Sequence, residues 1–247
     1  MPKISLLVPY RNRTVHLRNL LSWFRQADAP DRELILVEGA AEKTVQRLVE
    51  DCPGARYLFV ENPDAFHLSR LLNRGLAAAR GELILPFDVD LLPAPGVFRR
   101  HVAAAASAPR LVVAGYRLLT PLESVSPEQR QEILFRVRLA ASDHQQTILK
   151  RILDGESYGV APILWRERLE EVGGWDEGFV GWGAEDQDLL ERYLSDGRHL
   201  VRSEAFAYLH QHHEFESAWR EPHLIAENRD RYQRRRIAQT GRGSSDG

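Results

Sequence analysis

Glu82-Leu83-Ile84-Leu85-Pro86-Phe87-Asp88-Val89-Asp90 is an apolar run that ends on two carboxylates. A short apolar stretch bounded by Gly81 on one side and acids on the other reads as a buried strand, here 82–87. Similar runs lie upstream at 4–8, 33–37 and 56–60. Helical spacing fills the gaps. Residues 14–27 place Leu17, Leu20, Leu21 and Phe24 on one face, a second helix near 41–51 stops before Pro53-Gly54, and 67–80 turns Leu68, Leu71, Leu72, Leu76 and Ala79 inward, with Gly81 just past its end. Strand and helix alternating in this way predict an α/β fold: a Rossmann-like, mostly parallel central sheet flanked by helices. Ligands of such sheets sit at the carboxyl ends of the strands. Pro9-Tyr10-Arg11, Glu38-Gly39 and Asp88-Val89-Asp90 all fall there.

The second half has a different rhythm. A helix is expected at 95–107, then strands at 111–115, 158–165 and 200–210, and helices at 166–172, 184–196 and 217–238. Ser126-Pro127-Glu128 is a helix start, a cap followed by proline at the first helical position. It opens a helical insertion, about 116–157, expected to cover the site. The whole reads as one domain over 1–238, in two halves at 1–93 and 94–238, with a disordered tail at 239–247.

A chain of 247 residues with 43% hydrophobic and 28% charged residues has ordinary globular composition, and a net charge of −2 gives no reason to expect nucleic acid as a partner. The local basic run Arg234-Arg235-Arg236 reads as a solvated helix end, with a peripheral contact to anionic lipid or glycan as the other reading. Cys52 is the only cysteine, so no intrachain disulfide can form. With no apolar stretch near the roughly 20 residues of a membrane span, that predicts a cytoplasmic protein without a transmembrane segment.

Three motifs carry chemistry. Asp88-Val89-Asp90 places hard oxygen ligands at a strand end, where a divalent cation could neutralise a diphosphate. On a strand, His210 and His212 share one face, and imidazole is a common ligand for manganese or zinc; His213 follows directly. A carboxylate plus imidazole, with phosphate oxygens and water, suits Mn2+ or Mg2+ better than zinc. The third motif is Gly181-Trp182-Gly183-Ala184-Glu185-Asp186-Gln187-Asp188. Its glycines let the backbone turn tightly and approach a ligand. Trp182 offers a flat ring to the C–H face of a sugar. Glu185 and Asp186 open a helix whose N-terminus favours their ionised form, and a carboxylate there can take a hydroxyl proton. Arg11, Asn12 and Arg13 follow strand one, where a pyrophosphate or uracil ring could be held, and Glu38 could accept from a ribose.

These residues resemble the glycosyltransferases of the GT-A fold. The first half is similar to family 2, with Pro-Tyr-Arg-Asn after strand one, Asn73-Arg74-Gly75 ahead of Ala79-Arg80-Gly81, and the D-x-D closing strand four. Gly-Trp-Gly-x-Glu-Asp-x-Asp at 181–188 resembles β-1,4-galactosyltransferases and bacterial chondroitin-type polymerases. The former also share Pro-x-Arg-Asn-Arg, here 9–13, and the helix from Phe66 to Asn73. Two positions depart: Ala207 stands where those enzymes carry a methionine metal ligand, and Leu68 where they carry an arginine.

The resemblance implies roles. Asp186 is the catalytic base. Glu185, Trp182 and Gly183 bind the acceptor. Asp90 ligates the metal with His210, or alternatively His212. Pro9, Tyr10, Arg11, Arg13, Glu38, Phe66, Asn73, Asp88 and Val89 line the donor site, and Asp188 is structural. The expected function is an inverting, metal-dependent transfer of a sugar from a UDP-sugar, galactose or N-acetylgalactosamine by the resemblance, to a glycan, peptide or small-molecule acceptor. A sugar nucleotidyltransferase, a metal-dependent phosphohydrolase and a non-catalytic sugar-binding module are the rivals.

Overall fold

The computed structural model describes residues 3–27, 31–119, 160–211, 213 and 221–242. The expected helical insertion after Ser126 and His212 both lie outside the described residues. The elements run β1 (Ile4–Tyr10), α1 (Thr14–Gln26), β2 (Arg32–Ala40), α2 (Gln46–Glu50), β3 (Ala55–Glu61), α3 (Leu68–Ala78), β4 (Leu83–Pro86), β5 (Leu91–Pro93), α4 (Val97–Ser107), β6 (Leu111–Leu119), β7 (Val160–Trp165), α5 (Arg166–Glu171), α6 (Glu185–Leu194), β8 (His199–His210) and α7 (Pro222–Arg242).

The eight strands form one sheet in the order β3-β2-β1-β4-β7-β6-β8-β5. The first four pair in parallel, as the alternating apolar runs require, and β6 pairs in parallel with β8. β7 is antiparallel to both β4 and β6, and joins the two halves. One face of the sheet carries Leu6, Val8, Leu34 and Leu36 against Leu17, Leu20 and Phe24 of α1. The other carries Leu7, Ile35 and Val37 against Leu71, Leu72 and Leu76 of α3 and Leu189 and Leu190 of α6. Alternate residues of one strand thus enter opposite cores, the pattern of a sheet covered on both sides.

Several expectations shift. β5 has only three residues and too short a pattern to read from sequence. It pairs antiparallel with the end of β8, Leu91 opposite His210 and Leu92 opposite Leu209. The helix near 41–51 shrinks to five residues. β6 runs on to Leu119, past the expected end at 115, with a register shift between Ala114 and Tyr116. Gly115 belongs at that shift, because a Cβ there would come within 2.4 Å of the Phe206 carbonyl oxygen. α7 continues through 239–242 into the expected tail. Cys52 is buried, and burial raises its thiol pKa, in keeping with a packing role. Among the described residues no helix is long and apolar enough to cross a membrane.

Candidate active site

The carboxyl ends of β1 and β4, together with β6, β7, α3 and α6, line a cleft. Its walls are largely apolar, including Pro9, Leu68, Leu72 and Leu189, and its polar groups are Asp88, Arg117 and Asp186. Backbone strain gathers here. Asn12, Ala161 and Ala184, none of them glycine, have φ of 55°, 51° and 70°; Ala161 lines the cleft and Ala184 precedes α6. Residues held in this region persist where the surroundings over-determine them, often at functional sites. Gly183 adopts φ 115° with open space where a Cβ would sit, so backbone conformation alone demands glycine.

The carboxyls of this cleft resist ionisation. Desolvation and the nearby Asp186 charge push Glu185 up to about 8, against a hydrogen bond of 2.7 Å from the Gly183 N–H. The helix N-terminus was expected to favour its ionised form; burial at 6% exposure outweighs that effect. Asp88 and Asp186 stand on the cleft wall, open to solvent at its mouth but surrounded by protein. Desolvation and the Asp90 charge push Asp88 up to about 6. Desolvation also raises Asp186. The Arg117 guanidinium, 3.3 Å from Asp88, opposes both shifts. Trp175 Nε1, buried without a well-formed hydrogen bond, lies close enough to Asp186 to favour its ionised form.

Beside the cleft, Asp90, His210 and His213 bring one ligand atom each within 4.8 Å of one another. Nε2 of His210 is 3.5 Å from Asp90 Oδ1, and Nε2 of His213 is 3.2 Å from Oδ2. Burial would raise the Asp90 carboxyl, but the His213 hydrogen bond and the charges of His210, Arg13 and His213 outweigh it and hold it at about 2. Desolvation holds His210 down at about 4, so its imidazole is neutral at pH 7, the form that ligates a metal. Arg13 also donates to Oδ2. Oδ1 is buried with no hydrogen-bond partner. An orphaned carboxylate oxygen beside imidazole nitrogens is a donor set that fits Mn2+. β8 ends at His210, and beyond it His213 reaches Asp90; His212 lies outside the described residues.

The other expected donor residues divide. Pro9 and Asp88 line the cleft. Arg13 sits on Asp90. Arg11 spends its guanidinium on the carbonyls of Gly39 (2.6 Å), Asn62 (2.5 Å) and Asp64 (2.8 Å), over the ring of buried Phe66. Glu38 is fully buried, and its oxygens accept from the Thr44 backbone, the Thr44 hydroxyl and Tyr57 (2.5 Å), so it orders the loop after β2 instead of facing a ribose. Tyr10 and Val89 are buried, the Tyr10 hydroxyl pairing with Thr14 at 3.1 Å. Asn73 donates to the Trp175 carbonyl (2.7 Å) and accepts from the Trp175 N–H (2.9 Å), which ties α3 to the acid-bearing loop. Gly181 N–H, bonded to the Phe66 carbonyl at 3.1 Å, is a second tie.

A family model described as glycosyl transferase family 2 matches residues 5–166, most of the strand–helix half and the D-x-D. The chain belongs to glycosyl transferase family 2. A second model, described as the N-terminal domain of galactosyltransferase, matches 148–214. Validoxylamine A glucosyltransferase of Streptomyces hygroscopicus subsp. limoneus is 29% identical over 223 residues, 80% of this chain and 49% of that protein. The uncharacterized glycosyltransferase YfnE of Bacillus subtilis (strain 168) is 24% identical over 258 residues, 85% of this chain and 65% of that protein. The chain thus spans between half and two thirds of the length of these relatives. Among solved structures, S. aureus TarS 1-349 in complex with UDP-GlcNAc superposes with a TM-score of 0.61 at 18% identity, over 87% of this chain and 60% of that one. GalNAc-T7 with UDP, GalNAc and Mn2+ gives 0.66 at 13% identity, over 94% and 47%. At these identities the likeness is one of fold, and that fold is GT-A.

In this family 2 glycosyltransferase the C-terminal helix clamps the acid-bearing loop. Asn228, buried on α7, donates to the carbonyls of Val180 (2.9 Å) and Trp182 (3.3 Å). Arg235 bridges Asp188 (2.7 Å) and Asp176 (3.0 Å), and Arg231 forks onto Asp176. Asp188, 2% exposed, also accepts from Arg192 and is a structural carboxylate, as expected. The run 234–236 is therefore no free basic patch: Arg234 pairs with Asp230 and Arg236 with Glu191. Trp182 is 45% exposed. Sequence reasoning missed Arg117, which carries no motif, and passed over His213.

Proposed function

We propose that this family 2 glycosyltransferase moves a hexose from a UDP-sugar to an acceptor hydroxyl with inversion, assisted by Mn2+ or Mg2+. One observation carries the reading: Asp186, its pKa raised, and the cation Arg117 line the cleft with Asp88, buried Glu185 is adjacent to Asp186, and Asp90, His210 and His213 cluster beside Asp88. Asp186, whose raised pKa makes its carboxylate a better proton acceptor, takes the proton of the acceptor hydroxyl as that oxygen attacks the anomeric carbon. The bond from that carbon to the UDP oxygen breaks on the opposite face. Glu185, protonated at neutral pH, donates to the acceptor, and Trp182 stacks on it. Arg117 takes the charge of the departing diphosphate where Leu68 leaves no arginine. Asp90, His210 and His213 would hold a divalent cation, which would neutralise charge on that diphosphate. Within one domain, donor contacts come from the 1–93 half together with Arg117, His210 and His213, and acceptor contacts from the 94–238 half.

Galactose and N-acetylgalactosamine follow from the motif at 181–188, and glucose joins them through the name of the relative at 29% identity. The test is a screen of UDP-sugars with Mn2+, read as UDP release with and without candidate acceptor glycans. Acceptor-dependent UDP release that falls at least ~100-fold in Asp186→Asn is expected. No response to any UDP-sugar sinks the reading. Sugar 1-phosphate plus UMP as products would favour a phosphohydrolase, and UDP-sugar formation from UTP a nucleotidyltransferase.

A further inference from the structure

Gln211 is fully buried and lies in sequence between the two histidines that face Asp90. Its backbone N–H donates to the Asp90 carbonyl at 2.9 Å, and its side-chain Nε2 reaches the same oxygen at 3.4 Å. That orientation turns Oε1 outward, where it accepts from Asn19 Nδ2 of α1 at 2.5 Å. One residue thus fastens the backbone of the carboxylate ligand to the chain bearing both imidazoles, and a second residue fixes the first to a helix. The same helix carries His16, whose ring meets that of His213 edge-on at 6.1 Å. A buried amide costs free energy unless its groups are bonded. An apolar residue would fill the position without that cost, so the amide is explained by what it holds.

We propose that Asn19 and Gln211 are positioning residues for the cation site, acting in series: Asn19 orients the Gln211 amide, and Gln211 holds Asp90 in register with His210 and His213. This rests on the metal reading given under Proposed function. Partners that orient metal ligands typically contribute roughly 10–100-fold in affinity.

The test is Mn2+ affinity of the full chain, from the electron paramagnetic resonance signal of free Mn2+, with thermal melts alongside. The parent should bind, and Asp90→Asn should abolish binding. Gln211→Met, similar in volume but without hydrogen bonds, should weaken binding roughly 10–100-fold. Asn19→Ala should weaken it less, and the double variant should bind no more weakly than Gln211→Met alone. A Gln211→Met chain that melts lower but keeps parental Mn2+ affinity overturns the proposal and leaves the metal reading standing. A double variant whose loss is the product of the two single losses overturns the series arrangement. If Gln211→Met does not fold, Asn19→Ala decides by the same criterion. A parent that binds no Mn2+, or an Asp90→Asn chain that binds like the parent, overturns the metal reading and this inference together.

Discussion

Replacing Asn228 by alanine removes a buried amide that holds the carbonyls on either side of Gly181. The amide donates to Val180 at 2.9 Å and to Trp182 at 3.3 Å, and the residue is 3% exposed. A net hydrogen bond of this kind is worth about 1 kcal/mol, more where the abandoned carbonyl stays dry. Val180 is half-buried and the longer bond goes to exposed Trp182, so about 1.5–2.5 kcal/mol is expected. For a domain of this size that lowers Tm by about 3–10 °C. Arg235→Ala is the comparison. Arg235 is 37% exposed, and its partners Asp188 and Asp176 keep Arg192 and Arg231, so its loss should cost no more than about 1 kcal/mol. The assay is thermal denaturation of parent, Asn228→Ala and Arg235→Ala in one buffer, followed by UDP release, which should fall in Asn228→Ala as the loop loosens around Asp186. An Asn228→Ala chain that melts with the parent, or an Arg235→Ala chain that melts lower than Asn228→Ala, refutes the assignment of the clamp to the buried amide.

The pKa of Glu185 is about 8 folded against 4.5 free, so between those values the folded chain keeps a proton that the unfolded chain has released, and stability drains away as pH rises. Glu185→Gln should therefore raise Tm little at pH 5 and more at pH 8; an equal gain at both contradicts this. Arg117 holds down both Asp88 and Asp186, so Arg117→Ala should move the acidic limb of the UDP-release profile to higher pH, and an unmoved limb counts against its place in the cleft. Gly115→Ala forces a Cβ against the Phe206 carbonyl and the Tyr208 ring and should cost about 1–3 kcal/mol or more, read as a lower urea midpoint; a parental midpoint would show that the β6 register shift tolerates a side chain.

The parallel half of the sheet was legible because each strand carries side chains into both cores, so Leu34-Ile35-Leu36-Val37 has no polar position to blur it. β5 was not, because a three-residue strand has no period; its partner β8 makes it a strand. His213 lies beyond the end of β8, where strand alternation no longer says which way a side chain faces. Glu38 and Arg11 looked like ligand contacts because a charged residue at a strand end reads alike whether it faces a substrate or a neighbouring loop. Glu185 shows the limit from the other side: its helix position was readable, while the burial that keeps it protonated depends on packing. The motif at 181–188 could be read because its glycines, ring and acids are constrained by backbone conformation as well as by chemistry.

The pairing of β5 with β8 also bears on when the site comes into being. Asp90 and Gln211 are separated by 121 positions. Long loops close late and slowly, because chain entropy opposes them before any contact repays it. The strands from β1 to β4 can assemble from neighbouring segments as they leave the ribosome, but the cation pocket cannot exist until β8 has emerged and docked at the far edge. On the proposed reading, affinity for a divalent cation would thus be acquired late in folding, and its appearance during refolding would time the closure of the sheet.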